Sequence, residues 1–351
     1  MKTIVVAAGL GLLAIASTAT EAQEVRFTDH RGKEIRLDAV PEKVATIVRA
    51  GPILFRAVGG TADALASVNP SFLKRDYVAG LYGEFLPELG QLPPTAAIEG
   101  FLPNVEALLE VGPDVVVQWM SEDFEPLERV GLTVVGWDCC TRQHRRDYIT
   151  LTGHMTGRSE HAAAILALQD ASAKTMGERF GGLADADKPS ILYVDQFADQ
   201  IRIIANGSQD LSLSGVVNVA ADDSGQWWKT INLEQLFAWN PDIILIPPYA
   251  QGLTPQTFYD NSLLSGLAAV KDRRVYKIPA FAGSPDAPEI YLSSPWLGAV
   301  AHGGEAVPGL RADVQDAYAR IYGVDLTPAQ LDQVLWIEQN GTSAGYTDTF
   351  N

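Results

Sequence analysis

The amino-acid sequence predicts an α/β protein made of two similar lobes joined by one long helix. Strands and helices alternate along both halves, and the strands are continuous Val, Ile and Leu runs, which is typical of parallel sheets covered on both faces. Residues 104–117 read NVEALLEVGPDVVV and residues 232–246 read NLEQLFAWNPDIILI, so one helix-break-strand unit occurs twice. The predicted fold class is therefore two Rossmann-like lobes with parallel-type sheets.

The N-terminal lobe is predicted to span residues 23–143. After Lys43 come the strand VATIV, a helix that opens at Pro52, and an apolar strand near residues 64–68. Proline suits the first helical position, where its missing N–H would be unsatisfied anyway. The first repeated unit follows, in which Asn104 caps the helix and Pro113 stops it. A helix near residues 122–129 and the strand LTVVGW complete this lobe.

Residues 144–181 are predicted to form the connecting helix and residues 182–351 the C-terminal lobe. No Gly or Pro lies between Arg158 and Gly177, so a helix of about 20 residues and roughly 30 Å is expected. The C-terminal lobe should contain the strands PSILYV and IRIIA, a helix around residues 210–215, the second repeated unit and the strand RRVYKI. Helices are expected over residues 314–338, and residues beyond Gln339 are predicted to be a frayed tail.

The net charge and the N-terminal residues limit the kinds of partner and the cellular location that we expect. The 351 residues carry a net charge of -17, which argues against nucleic acid as a partner. The start, MKTIVVAAGLGLLAIASTATEAQE, resembles a secretory signal peptide with a cut near Ala22, so we expect a periplasmic protein. No later apolar segment is long enough to embed it in a membrane. Adjacent Cys139 and Cys140 exclude a conventional disulfide framework, and their redox state stays open.

The ordered pieces VRFTDHRGKEIRL, NVEALLEVGPDVVV, LTGHMTGRSEHA, KPSILYV, NLEQLFAWNPDIILI and LAAVKDRRVYKIP give the chain a family resemblance. It resembles the class III (cluster A) periplasmic solute-binding proteins of ABC importers. The resemblance implies two lobes bridged by one rigid helix, with a small-molecule metal chelate held in the cleft between them and delivered to a membrane permease. We also expect the protein to be a monomer. It also implies one permease-docking glutamate on each lobe, at Glu106 and Glu234. Alternatively, these glutamates only stabilise their own helices, because a negative side chain in the first turn interacts favourably with the helix dipole.

Side chains beyond the carboxyl ends of strands are candidates for the cleft, because ligands of open α/β sheets bind there. Aromatic surface with a few cations suits a bulky ligand carrying negative or polar groups. In the arginine cluster of residues 142–146, Arg142 is a candidate, whereas Arg145 and Arg146 are expected to start a solvated helix. Trp137 or Trp228 could instead fill a core. The predicted ligand-binding residues are Arg49, Tyr82, Trp119, Trp137, Arg142, Trp227, Trp228, Tyr249 and Phe281.

A ferric siderophore is the first candidate ligand, with cobalamin, haem and an oxyanion such as molybdate behind it. Haem would need a Tyr or His ligand, and Tyr77, Tyr82 or Tyr249 could serve. Arg49 precedes the helix that begins at Pro52, and a cation beside a helix N-terminus is an arrangement that binds anions. An oxyanion therefore remains a candidate ligand. The scattered histidines indicate no bare-metal site, and no resident cofactor is expected.

The rival function class is an exported enzyme or a thiol-redox protein on the same two-lobed scaffold. The sequence has no P-loop and no H-E-x-x-H, and its one G-x-S-x-G match, GTSAG at residues 341–345, does not follow a predicted strand, so no catalytic residues are predicted. The adjacent Cys139 and Cys140 are the one reactive pair that would support redox chemistry. We expect a binding protein and no enzyme.

Overall fold

The computed structural model describes residues 24–139, 141–206 and 211–350. The predicted signal peptide, Cys140 and residue 210 lie outside these ranges. The strands are β1 (Val25–Thr28), β2 (Glu34–Leu37), β3 (Val44–Thr46), β4 (Leu65–Val68), β5 (Val115–Trp119), β6 (Val134–Trp137), β7 (Ser190–Phe197), β8 (Ile201–Ile204), β9 (Val217–Asn218), β10 (Trp228–Ile231), β11 (Ile243–Ile246) and β12 (Val275–Lys277).

The helices alternate with these strands through most of the chain. They are α1 (Gly51–Ala57), α2 (Tyr77–Ala79), α3 (Val105–Val111), α4 (Glu125–Glu128), α5 (Arg142–Met155), α6 (Ser159–Phe180), α7 (Leu233–Trp239), α8 (Pro255–Tyr259), α9 (Ala268–Lys271), α10 (Ser293–His302), α11 (Leu310–Tyr322), α12 (Pro328–Val334) and α13 (Tyr346–Phe350). Within the described ranges, no helix is both long and apolar enough to cross a membrane.

The sheet of the N-terminal lobe is parallel, as predicted. Its strand order is β4-β3-β5-β6, with Val44 opposite Val115 and Val116 opposite Val134. The strands β3, β5 and β6 are buried along their whole length. Helices can cover both faces of such a sheet, which is why its strands read as continuous apolar runs.

The sheet of the C-terminal lobe is mixed, which differs from the predicted parallel type. Its order is β10-β8-β7-β11-β12, with β9 beside β7. Strands β7, β11 and β12 are parallel, whereas β8 runs antiparallel to β7 and β10 antiparallel to β8. Only residues 198–200 separate β7 from β8, and a parallel crossover needs about a dozen residues. The short connection therefore dictates a hairpin.

The two repeated units fold alike. Asn104 accepts a hydrogen bond from Ala107 N at 3.3 Å, and Asn232 accepts one from Gln235 N at 2.8 Å, so each asparagine caps its helix. Each helix ends at a left-handed residue, Gly112 in the first unit and Asn240 in the second. This conformation lets the chain turn directly into the following strand.

The aspartate of each unit fixes the start of the neighbouring strand. Asp114 Oδ2 accepts hydrogen bonds from Glu42 N at 2.8 Å and Lys43 N at 2.9 Å, just before β3. Asp242 Oδ2 accepts them from Ser190 N at 2.8 Å and Ser190 Oγ at 2.7 Å, at the first residue of β7. The repeated Pro-Asp therefore joins the unit to the rest of its sheet.

The segment predicted as one connecting helix contains two. Helix α5 ends at Met155, and α6 begins at Ser159 after a turn in which Gly157 has a φ of 66°. Helix α6 has 22 residues and is therefore about 33 Å long. A Cβ atom on Gly153 would lie 2.6 Å from Ala162 Cβ, so glycine there lets the two helices pack closely.

The residues after Gln339 pack on the C-terminal lobe, and the prediction of a frayed tail is wrong. Asn340 donates to Lys277 O at 2.9 Å and accepts from Lys277 N at 2.7 Å, which extends the hydrogen bonding at the edge strand β12. Trp296 Nε1 donates to the Tyr346 hydroxyl at 3.1 Å. Tyr346 and Phe350 are buried, so the last helix contributes to the core.

Candidate functional site

A cavity of about 830 Å³ lies between the two lobes. This volume falls in the range of small-molecule sites, roughly 300 to 1,000 Å³. Loops of both lobes, α5 and α6 form its walls. Its cations are Arg49, Arg75, Arg142, Arg145 and Arg146, and its large aromatic side chains are Phe101, Trp119, Tyr193, Trp227, Trp228, Tyr249 and Tyr291.

Charge is distributed unevenly over these walls. All five arginines belong to the N-terminal lobe or to α5. Among the described lining residues, the C-terminal lobe contributes no cation; it supplies aromatic and aliphatic side chains and the carboxylate of Asp286. The cavity therefore has a cationic wall facing a largely apolar wall.

Ion pairs hold several arginines of the cationic wall in place. Arg145 Nε lies 3.3 Å from Asp286 Oδ1, and Arg146 Nη1 lies 2.8 Å from Asp170 Oδ1. Arg49 is in salt-bridge contact with buried Asp76. Burial raises the pKa of Asp76 to about 6, although the neighbouring charge of Arg49 opposes the rise.

The apolar wall presents two adjacent indole rings. The ring centroids of Trp227 and Trp228 lie 5.9 Å apart. Trp228 starts the edge strand β10, and 48% of its surface is exposed. On the opposite lobe the rings of Phe101 and Trp119 meet edge to face at 6.1 Å. Flat aromatic surface is thus available on both sides of the cavity.

Six residues predicted from the sequence line the cavity, and their contact with a ligand stays a prediction. They are Arg49, Trp119, Arg142, Trp227, Trp228 and Tyr249. Arg145 and Arg146 also line it, in contrast to the expected solvated position. The reason is geometric: α5 begins at Arg142 and lies along the cavity, so its first turns present several arginines.

Trp137 and Phe281 lie in the core, and the expectation that they face the cleft is wrong. Only 1% of Trp137 is exposed, and its ring stacks on Tyr148 at 4.7 Å with an interplanar angle of 9°. The alternative interpretation of Trp137 as a core residue is therefore the correct one. Phe281 is fully buried, while its neighbour Ala282 reaches the cavity wall.

Tyr82 is also buried away from the cavity. Its hydroxyl forms a hydrogen bond with a carboxylate of the other lobe. It donates to Glu289 Oε1 at 2.7 Å, and Tyr322 donates to Glu289 Oε2 at 2.5 Å. Burial raises the pKa of Glu289 to about 7, and the two hydroxyl donors only partly oppose this rise. Tyr82 is therefore a structural residue of the interface between the lobes.

Several lining residues were missed from the sequence. Arg75 belongs to a π-helical turn, Phe72–Asp76, rather than to the end of a strand. Gln169 reaches the cavity from the middle of α6 and donates to Pro288 O at 3.0 Å. Neither position carries a local sequence signal, because only the assembled fold brings them to the cavity.

The two glutamates predicted to dock lie at matching surface positions. Glu106 and Glu234 are each the second residue of their helix and are exposed. Neither forms a salt bridge with any residue that the structure describes. One turn further along each helix is an exposed apolar side chain, Leu109 at 49% and Phe237 at 39% exposure. Each lobe thus displays a carboxylate beside apolar surface.

The described residues contain no group of three or more His, Cys, Asp or Glu side chains that could hold a metal ion.

Cys139 lines the cavity and is disulfide-bonded.

Comparisons with known proteins agree with this architecture. A family model described as "Periplasmic binding protein" matches residues 95–282. The iron(3+)-hydroxamate-binding protein FhuD of Bacillus subtilis is 25% identical over 186 residues, 50% of this chain and 58% of its own length. The molybdate-binding protein MolA of Haemophilus influenzae is 23% identical over 223 residues, 55% of this chain and 62% of its own. The chain thus spans about three fifths of these relatives.

Similarity to solved structures extends over most of the chain. A periplasmic solute binding protein from Veillonella parvula superposes with a TM-score of 0.79 and 24% identity, covering 91% of this chain and 98% of the other. At this identity the similarity concerns the fold. It agrees with two α/β lobes joined through the long helix α6.

Proposed function

Because the chain belongs to the periplasmic binding protein family, we propose that it captures a bulky anionic metal chelate between its lobes and delivers it to the permease of an ABC importer. Members of the family are periplasmic solute-binding proteins rather than enzymes. We place this chain in the periplasm as well, exported by the leader that ends near Ala22. A ferric siderophore is the first candidate for the chelate.

The observation that carries this proposal is the cavity with arginines on one wall and aromatic rings on the other. Arginine forks pair well with carboxylate, phosphate and similar oxygen anions. Indole and phenol rings suit the flat organic faces of a chelate. A ligand with both features is favoured over one that is neutral or purely polar.

Size and electrostatics rank the alternatives. A bare oxyanion such as molybdate would fill little of about 830 Å³, so it ranks below a chelate although MolA is a relative. Haem bound through a tyrosine would need the phenolate form. Burial raises the pKa of Tyr249 to about 12, so the unliganded side chain is protonated at neutral pH and would have to lose its proton on binding the iron. Cobalamin lacks the several anionic groups that the arginines suit.

Calorimetric titration of the purified protein tests the proposal. The panel contains a trianionic iron(III) tricatecholate, the neutral iron(III) trihydroxamate ferrichrome, haem, cyanocobalamin and molybdate. We expect the trianionic complex to bind at least about 10-fold more tightly than the others, a difference of about 1.4 kcal/mol. A preference for ferrichrome would contradict the anionic assignment, and no binding of any chelate would contradict the proposed function.

We further propose that Glu106 and Glu234 dock onto the permease. Their repeated position, exposure and apolar neighbours Leu109 and Phe237 support this assignment. Two matching surfaces suit a permease with two similar subunits, each offering a cation beside apolar surface. Ligand binding would adjust the angle between the lobes and hence the spacing of the two glutamates.

A further inference from the structure

Arg75 differs from its neighbours on the cationic wall in what it contacts. Arg49, Arg145 and Arg146 each contact a carboxylate. Within the described part of the chain, Arg75 makes neither a hydrogen bond nor a salt bridge. Its guanidinium instead lies over the ring of Tyr249, 4.7 Å from the centroid.

The surroundings of Arg75 make a negative partner favourable. The side chain is half-buried, and burial, followed by the charge of Arg49, lowers its pKa. Partial burial removes some of the water that would otherwise hydrate the guanidinium, which disfavours its charged form. An anion that entered the cavity and accepted hydrogen bonds from the guanidinium would offset this effect, and no carboxylate of the described residues does so.

Stacking on Tyr249 leaves the donors of Arg75 available. The guanidinium carbon lies over the ring, and the five N–H groups, which have no hydrogen-bond partner among the described residues, stay available to an anion. Arg75 comes from the N-terminal lobe, and Tyr249 follows β11 in the C-terminal lobe. The two lobes therefore fix the orientation of one anion-binding edge inside the cavity.

We propose that Arg75, oriented by Tyr249 across the cavity, is the side chain that selects ligands with an anionic oxygen pair, such as a catecholate or carboxylate. The pair binds the edge of the guanidinium while the face stays on the ring. This inference rests on the proposed function and adds a specificity determinant to which both lobes contribute. Lysine at this position would keep the charge but lose both the fork and the stacking face.

Calorimetry on variants tests this selection. Arg75→Gln should bind the trianionic iron(III) tricatecholate about 10- to 100-fold more weakly, as expected for loss of hydrogen bonds to a charged group. Its affinity for neutral ferrichrome should change less than about 3-fold. Arg75→Lys should lose most of the same affinity, whereas Tyr249→Phe, which keeps the ring, should bind within about 3-fold of the wild type.

Arg129→Gln is the matched control, because it removes an exposed arginine of the same lobe that pairs with Glu125 and does not line the cavity. We expect a loss below about 2-fold for the tricatecholate. The proposal is overturned if Arg75→Gln binds the tricatecholate as the wild type does. It is equally overturned if the Arg129→Gln loss matches the Arg75→Gln loss, since overall charge alone would then explain both.

A citrate titration separates failure of this inference from failure of the proposed function. If no chelate of the panel binds, the melting temperatures of the wild type and Arg75→Gln are compared with increasing citrate. A citrate-dependent rise in the wild type only would retain the anion-selecting role of Arg75 and discard the chelate function. Equal responses of the two proteins would discard both.

Discussion

Replacing Glu106 and Glu234 together by arginine is expected to abolish solute uptake while leaving ligand affinity unchanged. Both side chains are exposed on the first turns of α3 and α7, and neither lines the cavity. Like charges placed face to face in an interface cost several kcal/mol, so delivery should fall by more than about 100-fold. Uptake of the labelled ligand is measured in cells lacking the native copy, and affinity by calorimetry.

Glu160→Arg is the matched control for this experiment. Glu160 is also an exposed second residue of a helix, α6, so its replacement costs a similar helix-dipole interaction without touching a repeated unit. We expect near-normal uptake from this variant. Normal uptake by the Glu106 and Glu234 double variant, at normal ligand affinity, would eliminate the docking assignment.

Replacing Glu289 by glutamine should remove part of the pH dependence of stability. In the folded protein the pKa of Glu289 is about 7, compared with 4.5 for the free side chain. Between these values the folded protein keeps a proton that the unfolded chain releases, so the free energy of unfolding falls as the pH rises. The fall amounts to about 3 kcal/mol and is nearly complete at about pH 8.

Urea unfolding of the wild type and Glu289→Gln at pH 4.5, 6 and 8 measures this effect. The variant should gain about 2 to 3 kcal/mol relative to the wild type across that range. Other acids with raised pKa values, including Asp76, are present in both proteins and largely cancel. Glu305→Gln, at an exposed position, serves as the control. A pH-independent difference between wild type and Glu289→Gln would show that Glu289 titrates normally.

The sequence predicted the repeated unit because its signals are local. Asn104 and Asn232 cap their helices, and Pro113 and Pro241 separate each helix from a buried strand. The direction of β8 was not recognised, although the short connection to β7 held that information. The packed C-terminal residues were missed because burial of Tyr346 depends on a distant partner, Trp296.

The cavity was predictable only in part, because packing by distant elements decides which side chains reach it. Trp119 ends β5 and its register partner Trp137 ends the neighbouring β6, so both rings lie on the same face of the sheet, yet only Trp119 reaches the cavity. Tyr148 of α5 stacks on Trp137 and covers it, a contact that the sequence of the strand does not reveal. Arg75 posed a different difficulty, because a π-helical turn after the end of β4, which the sequence does not reveal, places it on the wall.

A crystal structure of the protein loaded with the tightest ligand of the panel would show directly where and how that ligand binds. We expect the ligand in the cavity between the lobes, with its anionic groups toward Arg75 and the arginines of α5 and its flat organic face on Trp227 and Trp228. A ligand bound outside this cavity, or one whose anionic groups face the tryptophans, would contradict the proposed binding mode.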